Sequence, residues 1–432
     1  MKIVRNPARE TWETLLARPA HDRKTVKKVI KPIIRKVKRK GDKALYKLAE
    51  EYDHVKLENL LVTPEETSAA KDLVPQALRE AIDVAINNIT AFHKNQVDDV
   101  LTVETMPGVT CSRKSVPIEK VGLYVPGGTA PLFSTVLMLG IPAMLAGCSQ
   151  IVLTTPPNLK GNIHPAILYA ADKVGVTHIV KAGGAQAIAA MTFGTDSVPR
   201  VHKIFGPGNQ YVTAAKQYVA RYGIAIDMPA GPSEVAVVAD ESCPPAFIAA
   251  DLLSQAEHGA DSQVVLVSTS SEVLEKVSKE VDSQLEHLPR RMLAEKSLEN
   301  SVAILVKNDN EVMDLINEYG PEHLILAVKN AEKMGKKVIN AGSVFLGNYT
   351  PESAGDYASG TNHTLPTNGY AKAYSGVSVD SFVRKITFQQ ISPEGLGNIG
   401  PAIEIMAAAE ELQAHKNAVS VRLKHISENG AE

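Results

Sequence analysis

A few residues in this chain have the types and spacing that chemistry needs. In 246–259, AFIAADLLSQAEHG, Gln255 and His258 stand at i and i+3. On a helix they lie about 60° apart around the axis, so both heads can converge on one ion. A lone helical histidine is more often structural, so the pair needs company. Glu322-His323 follows a Gly320-Pro321 turn and opens an apolar run; Asp356 and His363 lie in the loop-like PESAGDYASGTNHTLPTNG; His415 lies near the C-terminus. Histidines and carboxylates at element ends are where catalytic groups collect. Spacing alone does not assemble them into one site. The three cysteines, Cys111, Cys148 and Cys243, have no CxxC spacing. That argues against a disulfide framework or a cysteine-based zinc finger and fits a reducing, cytoplasmic compartment.

Cofactor loops are the next chemistry to seek. GLGNIG at 395–400 matches GxGxxG and follows a strand-like run, KITFQQI at 385–391. A dinucleotide loop, however, needs a βαβ unit and an acidic residue about 20 positions on. Here more helix follows and 413–420, QAHKNAVS, offers no acid, so the motif reads as a helix-entry turn. No GxxxxGK[ST] occurs. VPGGTAP at 125–131 and FGPGNQY at 205–211 each leave a strand and open a helix, so their N–H groups could face a phosphate. Gly and Pro also punctuate ordinary α/β connections, and these turns alone decide nothing.

These groups need elements to position them. With 432 residues, 44% hydrophobic and 22% charged, the chain has material for several cored domains and is neither disordered nor fibrous. From about residue 120, short β-branched runs alternate with longer helical ones, the mark of α/β layering. The first strand series is 122–125, 151–155, 178–182, 202–205 and 225–228; the second is 235–239, 264–268, 302–306, 324–328 and 343–347. Two such series predict two parallel-sheet domains. Residues 1–24 read as a short helical arm, and beyond 391 the chain reads as one helical segment.

Charge and hydropathy exclude some functions. The formal net charge is −2, so no global field recruits nucleic acid or an anionic membrane. Residues 1–50 nevertheless hold 16 Lys/Arg against 5 Asp/Glu, most of the excess in 23–40. Val26, Val29, Ile30, Ile33, Ile34 and Val37 make this an amphipathic helix with Pro32 as its kink point. It could serve as a nucleic-acid surface, but no aromatic residue interleaves the bases, which favours a solvated face over an apolar stripe. The charge-free stretch 131–148 approaches membrane-span length. Pro142, two glycines and the Ser134/Thr135 pair interrupt it, so it reads as an interior helix, and the charged start MKIVRNPARETWETLL carries no export signal.

Against this background, six stretches matter together: VGLYVPGGTAPLFSTVLM, FGPGNQYVTAAKQ, DMPAGPSEV, DLLSQAEHGADSQ, GPEHL and AGSVFLGNYTPESAGDYASGTNHTLPT. They run in order from about 121 to 367 and resemble successive signature segments of the histidinol dehydrogenases, with similarity across nearly the whole chain. The resemblance implies a zinc- and NAD-dependent enzyme that oxidises L-histidinol through L-histidinal to L-histidine, the last steps of histidine biosynthesis. It implies two Rossmann-like parallel-sheet domains, one inserted in the other. On that reading 1–24 is the helical arm, and 25–125 plus 235–377 form the first α/β domain, with most metal and catalytic residues. Residues 126–234 form the NAD-binding domain, and 378–432 form a helical segment crossing a homodimer to complete the partner's site.

By motif, the resemblance makes Gln255, His258, Asp356 and His415 ligands of one zinc per subunit. One carboxylate with three neutral groups leaves such a centre near +1, and a thiolate-free site keeps positions open for substrate. His323 takes the base position, which suits an imidazole near its ordinary pKa, and Glu322 would activate the water that adds to the aldehyde. Ser233, Glu410 and His323 match substrate contacts, as do the metal ligands; Tyr124, Gln186 and Asn209 match NAD contacts; His363 and Glu352 are further pocket residues. Glu410 and His415 are five apart, about 140° around an ideal helix, so a break between them is expected. Three other readings compete. An aldehyde-dehydrogenase-like enzyme would use Cys148 or Cys111 covalently, yet Cys148 ends an apolar run, where thiols are inert. A related zinc- and NAD-dependent dehydrogenase could oxidise another polar alcohol. A nucleic-acid-binding protein would use the 23–40 helix.

Overall fold

The computed structural model describes residues 1–19, 23–127, 130–229 and 231–429. The chain divides into two compact units, residues 1–96 with 118–382, and residues 97–117 with 383–432. The first unit carries two parallel sheets, and the β-branched runs supply their strands because such residues pack well on a sheet covered on both faces.

In chain order the strands are β1 (Lys2–Arg5), β2 (Leu101–Met106), β3 (Val109–Pro117), β4 (Lys120–Tyr124), β5 (Gln150–Thr155), β6 (His178–Lys181) and β7 (Lys203–Phe205). There follow β8 (Ala225–Ile226), β9 (Glu234–Ala239), β10 (Gln263–Ser268), β11 (Val302–Leu305), β12 (His323–Ala327), β13 (Ser343–Leu346) and β14 (Val383–Ile391). One sheet has the order β6-β5-β4-β7-β8 and the other β1-β11-β10-β9-β12-β13. Without its edge strand β1, the second repeats the order of the first, the doubly wound arrangement of a mononucleotide-binding fold. The expected α/β class with two Rossmann-like sheets is what the chain adopts. Every strand of the two series falls where the β-branched runs placed it.

Three features differ from the sequence reading. Residues 2–5 are not helical: they pair in parallel with Val302–Leu305 as β1, and the arm's helical turns begin only at Arg9. GLGNIG is not an entry turn. It lies within the Pro393–Ala409 helix, which Ser392 caps, and its glycines permit close packing, since a Cβ on Gly395 would strike the backbone of Gly108 and one on Gly400 the side chain of Leu423. The C-terminal stretch is two helices, Pro393–Ala409 and Gln413–Asn429, separated where Glu411 takes a left-handed φ of 60°. That break falls between Glu410 and His415.

The basic stretch is one helix, Arg23–Lys40, with Pro32 inside it. Its apolar face, Val26, Ile30, Ile34 and Val37, packs into the core around the Gly184–Phe193 helix, leaving the lysines outward. The Phe133–Ala146 helix is interior, with ten consecutive buried residues. Among the described residues no helix is long and apolar enough to cross a membrane. The second unit pairs β14-β3-β2 antiparallel and adds the two C-terminal helices, which pack on each other. Ile386, Phe388, Ile405, Met406 and Val421 of this unit are exposed.

Candidate active site

The first unit holds a cavity of about 1300 Å³ lined by Ser233, His258, Glu322, His323, Asp356 and His363, among others. Each arrives from a different local cause. The Asp309–Tyr319 helix ends at Gly320, whose left-handed φ of 59° turns the chain, and Pro321 then feeds Glu322 and His323 into β12. Both are buried, at 6% and 4% exposure. Pro351 starts the short Glu352–Tyr357 helix, which sets Glu352 and Asp356 one turn apart. The Pro245–Ala256 helix stops before His258, so Gln255 is in its last turn and His258 in the turn beyond, its N–H donating to the Gln255 carbonyl at 3.2 Å.

Hydrogen bonding separates the two pocket histidines. His363 Nδ1 lies 3.0 Å from the Asp356 carbonyl, and its Nε2 lies 3.1 Å from Thr135 Oγ1. A carbonyl only accepts, so Nδ1 carries the proton and Nε2 accepts from the threonine: both nitrogens are occupied. His323 Nδ1 likewise faces a carbonyl, that of Glu234 at 3.4 Å, but its Nε2 is buried with no hydrogen-bond partner and lies 3.7 Å from Asp356 Oδ1. Burial pulls the His323 pKa down to about 4, against the opposing pull of Asp356. The ring is neutral near pH 7 with a free lone pair on Nε2, as a general base must be.

The carboxylates behave in the opposite sense. Burial pushes Glu322 well above the ordinary range, opposed by the Glu234 N–H, which donates to its Oε2 at 2.9 Å, and reinforced by the charges of Glu234 and Asp356. Glu352 is also raised by burial and then by Asp356, Glu322 and Asp251, and its Oε2 has no hydrogen-bond partner. Crowding and burial disfavour the charged forms of these carboxyls, and a bound divalent cation would favour them again. Among the described residues His323, Glu352 and Asp356 place one ligand atom each within 4.8 Å of one another. This grouping shares only Asp356 with the ligand set implied by the resemblance. Gln255 supplies a further sign: it is fully buried and neither amide atom has a hydrogen-bond partner, a state that a ligand would relieve.

A second cavity, about 890 Å³, adjoins the first through Pro126, Gly127, Ala130 and Asn209. It lies against the carboxyl ends of β4, β5 and β6, and Tyr124, Gln186 and Asn209 all line it. Tyr124 is buried, which pushes its pKa up to about 12, and its hydroxyl accepts from the Gly184 N–H at 3.2 Å. Asn209 Oδ1 caps the Gln210–Val219 helix, accepting from the N–H groups of Tyr211 and Val212. The FGPGNQY turn before that helix is tied down by a buried Lys216–Asp227 ion pair, with Lys216 Nζ donating to the Gly206 carbonyl at 2.8 Å and the Gly206 N–H to Asp227 at 2.7 Å. Gly128 and Thr129 of the VPGGTAP turn lie outside the described residues.

Ser233, His258, Glu322, His323 and Asp356 thus meet at one cavity and Tyr124, Gln186 and Asn209 at its neighbour. Glu410 and His415 are exposed residues of the second unit and are not part of this grouping. Arg18 escaped the sequence reading, having no motif to mark it, and Thr135, Lys216, Asp227 and Glu234 lay inside the signature stretches without being given a role. Cys148 and Cys243 are unsuited to nucleophilic work, since burial pushes their thiols up to about 12 and about 11.

Fold and pocket together define a two-sheet α/β enzyme with a histidine–carboxylate centre beside a mononucleotide-type crevice. The family model for histidinol dehydrogenase matches residues 16–423. A histidinol dehydrogenase of Bacteroides thetaiotaomicron is 61% identical over 423 residues, covering 98% of this chain and 99% of its own. The chloroplastic histidinol dehydrogenase of Arabidopsis thaliana is 52% identical, covering 96% and 89%. The crystal structure of histidinol dehydrogenase from Elizabethkingia anophelis superposes with a TM-score of 0.97 at 53% identity, covering 99% of each chain. The chain belongs to the histidinol dehydrogenase family, and with it to the oxidoreductases.

Proposed function

We propose that this chain is a zinc- and NAD-dependent dehydrogenase that oxidises L-histidinol to L-histidine through L-histidinal. What supports the reading is the neutral, buried His323, whose unpartnered Nε2 lies 3.7 Å from Asp356 at a cavity that Glu322 also lines, in a chain of this family. Zinc fits Gln255, His258 and Asp356, because the unpartnered amide of Gln255 needs a ligand and the His323 lone pair must stay free for the substrate. Bound zinc would anchor the imidazole and amino nitrogens of histidinol, and bound NAD⁺ would accept a hydride in each half.

His323 Nε2 takes the hydroxyl proton in the first oxidation and a proton of the aldehyde hydrate in the second. Between them Glu322, its pKa raised by burial, takes a proton from the water adding to the aldehyde. Histidinol, two NAD⁺ and one water become histidine, two NADH and three protons. Ser233, at the cavity wall, orients the substrate together with the metal ligands. The Tyr124 hydroxyl proton, the Gln186 amide and the free Asn209 amide nitrogen contact the dinucleotide. Glu410 and His415 act from the second copy of a homodimer, contacting substrate and completing the metal set. Their exposure and the apolar surface of their unit, with Ile405, Met406 and Val421 exposed, support that arrangement. A cytoplasmic location suits the sparse free thiols.

The test is purified protein with L-histidinol and NAD⁺ before and after chelation. Two NADH per histidine, lost on chelation and restored by zinc, is the expected result. No NADH from histidinol, with another polar alcohol oxidised instead, would overturn the substrate assignment.

A further inference from the structure

Both proposed proton-handling groups are held by a single residue that lines neither cavity. The backbone of Glu234 donates its N–H to Glu322 Oε2 at 2.9 Å and faces His323 Nδ1 with its carbonyl at 3.4 Å. The first bond fixes the carboxylate. The second fixes the imidazole tautomer and so aims the Nε2 lone pair at the cavity.

The side chain of Glu234 is buried at the head of β9, where an unpaired carboxylate would be costly. It is gripped from the N-terminal arm. Arg18 meets it with a two-pronged contact, Nε to Oε2 and Nη2 to Oε1 at 3.0 Å. The same Nη2 donates to the carbonyls of Tyr319 at 2.9 Å and Gly320 at 3.4 Å, the residues that lead into Glu322. The guanidinium lies 4.0 Å from the centre of the Tyr319 ring, and the Tyr319 hydroxyl sits 3.3 Å from Glu234 Oε2 and 2.9 Å from Gln263 Oε1. Gln263 Nε2 in turn donates to the Ala17 carbonyl at 3.0 Å, anchoring the arm beside Arg18.

We propose that Arg18 is a positioning residue for the reaction: it clamps Glu234 to the 319–320 turn and thereby holds Glu322 and His323 at their working separation and orientation. This rests on the histidinol dehydrogenase reading above. An ion pair that served stability alone would have no reason to join the turn that leads into the reacting pair to the residue whose backbone holds that pair. Buried pairs as such are weak stabilisers, which leaves placement as the return on burying this one.

The experiment uses the zinc-loaded enzyme and measures kcat and KM separately for histidinol and for supplied histidinal. Arg18→Ala is expected to lower kcat for histidinal about 30-fold, with KM for NAD⁺ within about threefold and zinc content unchanged. Guanidinium ion at tens of millimolar is expected to restore part of that kcat, which a loss of general stability would not permit. If Arg18→Ala does not fold, Glu234→Gln removes the gripped charge while keeping the backbone contacts possible, and a kcat loss of about tenfold with preserved zinc supports the clamp. A kcat within twofold of wild type in either folded variant overturns the proposal. So does a loss spread equally over KM, kcat and zinc content. Inactivity of the wild type towards histidinol would instead sink the functional reading, so the two failures are distinct.

Discussion

The two parallel sheets of the first unit share one strand order yet meet the paired cavities with opposite ends. In β6-β5-β4-β7-β8 the lining residues Tyr124, Gly183, Gly206 and Asp227 all follow or finish strands, the carboxyl edge at which open α/β sheets bind ligands. In the other sheet, Ser233 immediately precedes β9 while Glu322 and His323 stand at the start of β12, its amino edge. The difference follows from backbone chemistry. A carboxyl edge followed by helix N-termini presents N–H groups suited to phosphates. The amino edge of a buried strand presents side chains just leaving a turn, with neighbouring backbone groups to bind them, as Glu234 binds Glu322 and His323. On the proposed function, shared topology is put to two uses, dinucleotide holding at one edge and proton transfer at the other.

That division is open to attack, first at the amino edge. His323→Asn, which keeps a polar side chain but no base, is expected to lower kcat about 10³-fold in both oxidations, read by NADH formation in stopped flow. Retention of a tenth of the activity would move the base elsewhere. Glu322→Gln should depress histidinal oxidation about 10²-fold and histidinol oxidation much less, so histidinal turns over poorly. An equal loss in the two halves would strip Glu322 of its role in activating water.

At the carboxyl edge the signature should be binding. Tyr124→Phe removes the hydroxyl that meets the Gly184 N–H, and KM for NAD⁺ should rise about tenfold with kcat little changed. A fall in kcat with unchanged KM would erase the functional contrast between the sheets.

The smallest effect concerns Asp53, which lines the second cavity with a buried Oδ2 lacking a hydrogen-bond partner and a pKa raised by burial to about 6. Between about pH 4 and 6 the folded state keeps a proton that the unfolded chain has released, so stability falls as pH rises through that window. Asp53→Asn should therefore stabilise the protein by about 1 kcal/mol at pH 8 and by nothing measurable at pH 4, in urea titrations at the two pH values. An equal gain at both would assign the effect to packing.

Much of the architecture was legible because central parallel strands must be apolar on both faces, and VAVVA, VVLVS and LILAV admit little else. β1 was not, because KIVR is short and half charged and becomes a strand only by pairing with a segment 300 positions away. Likewise, GLGNIG looks like a loop until Gly108 and Leu423 are seen pressed against its glycines. In the site, Glu322-His323 was conspicuous as a doublet after Gly-Pro, while Gln255 and His258, read as a pair on one helix, are separated by the end of that helix at Ala256. What no local pattern could give was the hydrogen-bond inventory that sets His323 apart from His363, or a guanidinium at position 18 serving a carboxylate at 234. Those are products of tertiary contact, and the family resemblance names residues without supplying them.

The pairing of Lys2–Arg5 with Val302–Leu305 has a consequence for biosynthesis. On the ribosome, Lys2–Arg5 must wait for about 300 further residues before their partner exists, and Arg18 waits for Glu234 in the same manner. Closure of such long loops is slow, so the nascent protein should pass through a stage with the β6-β5-β4-β7-β8 sheet complete and the amino edge of the other still unsewn.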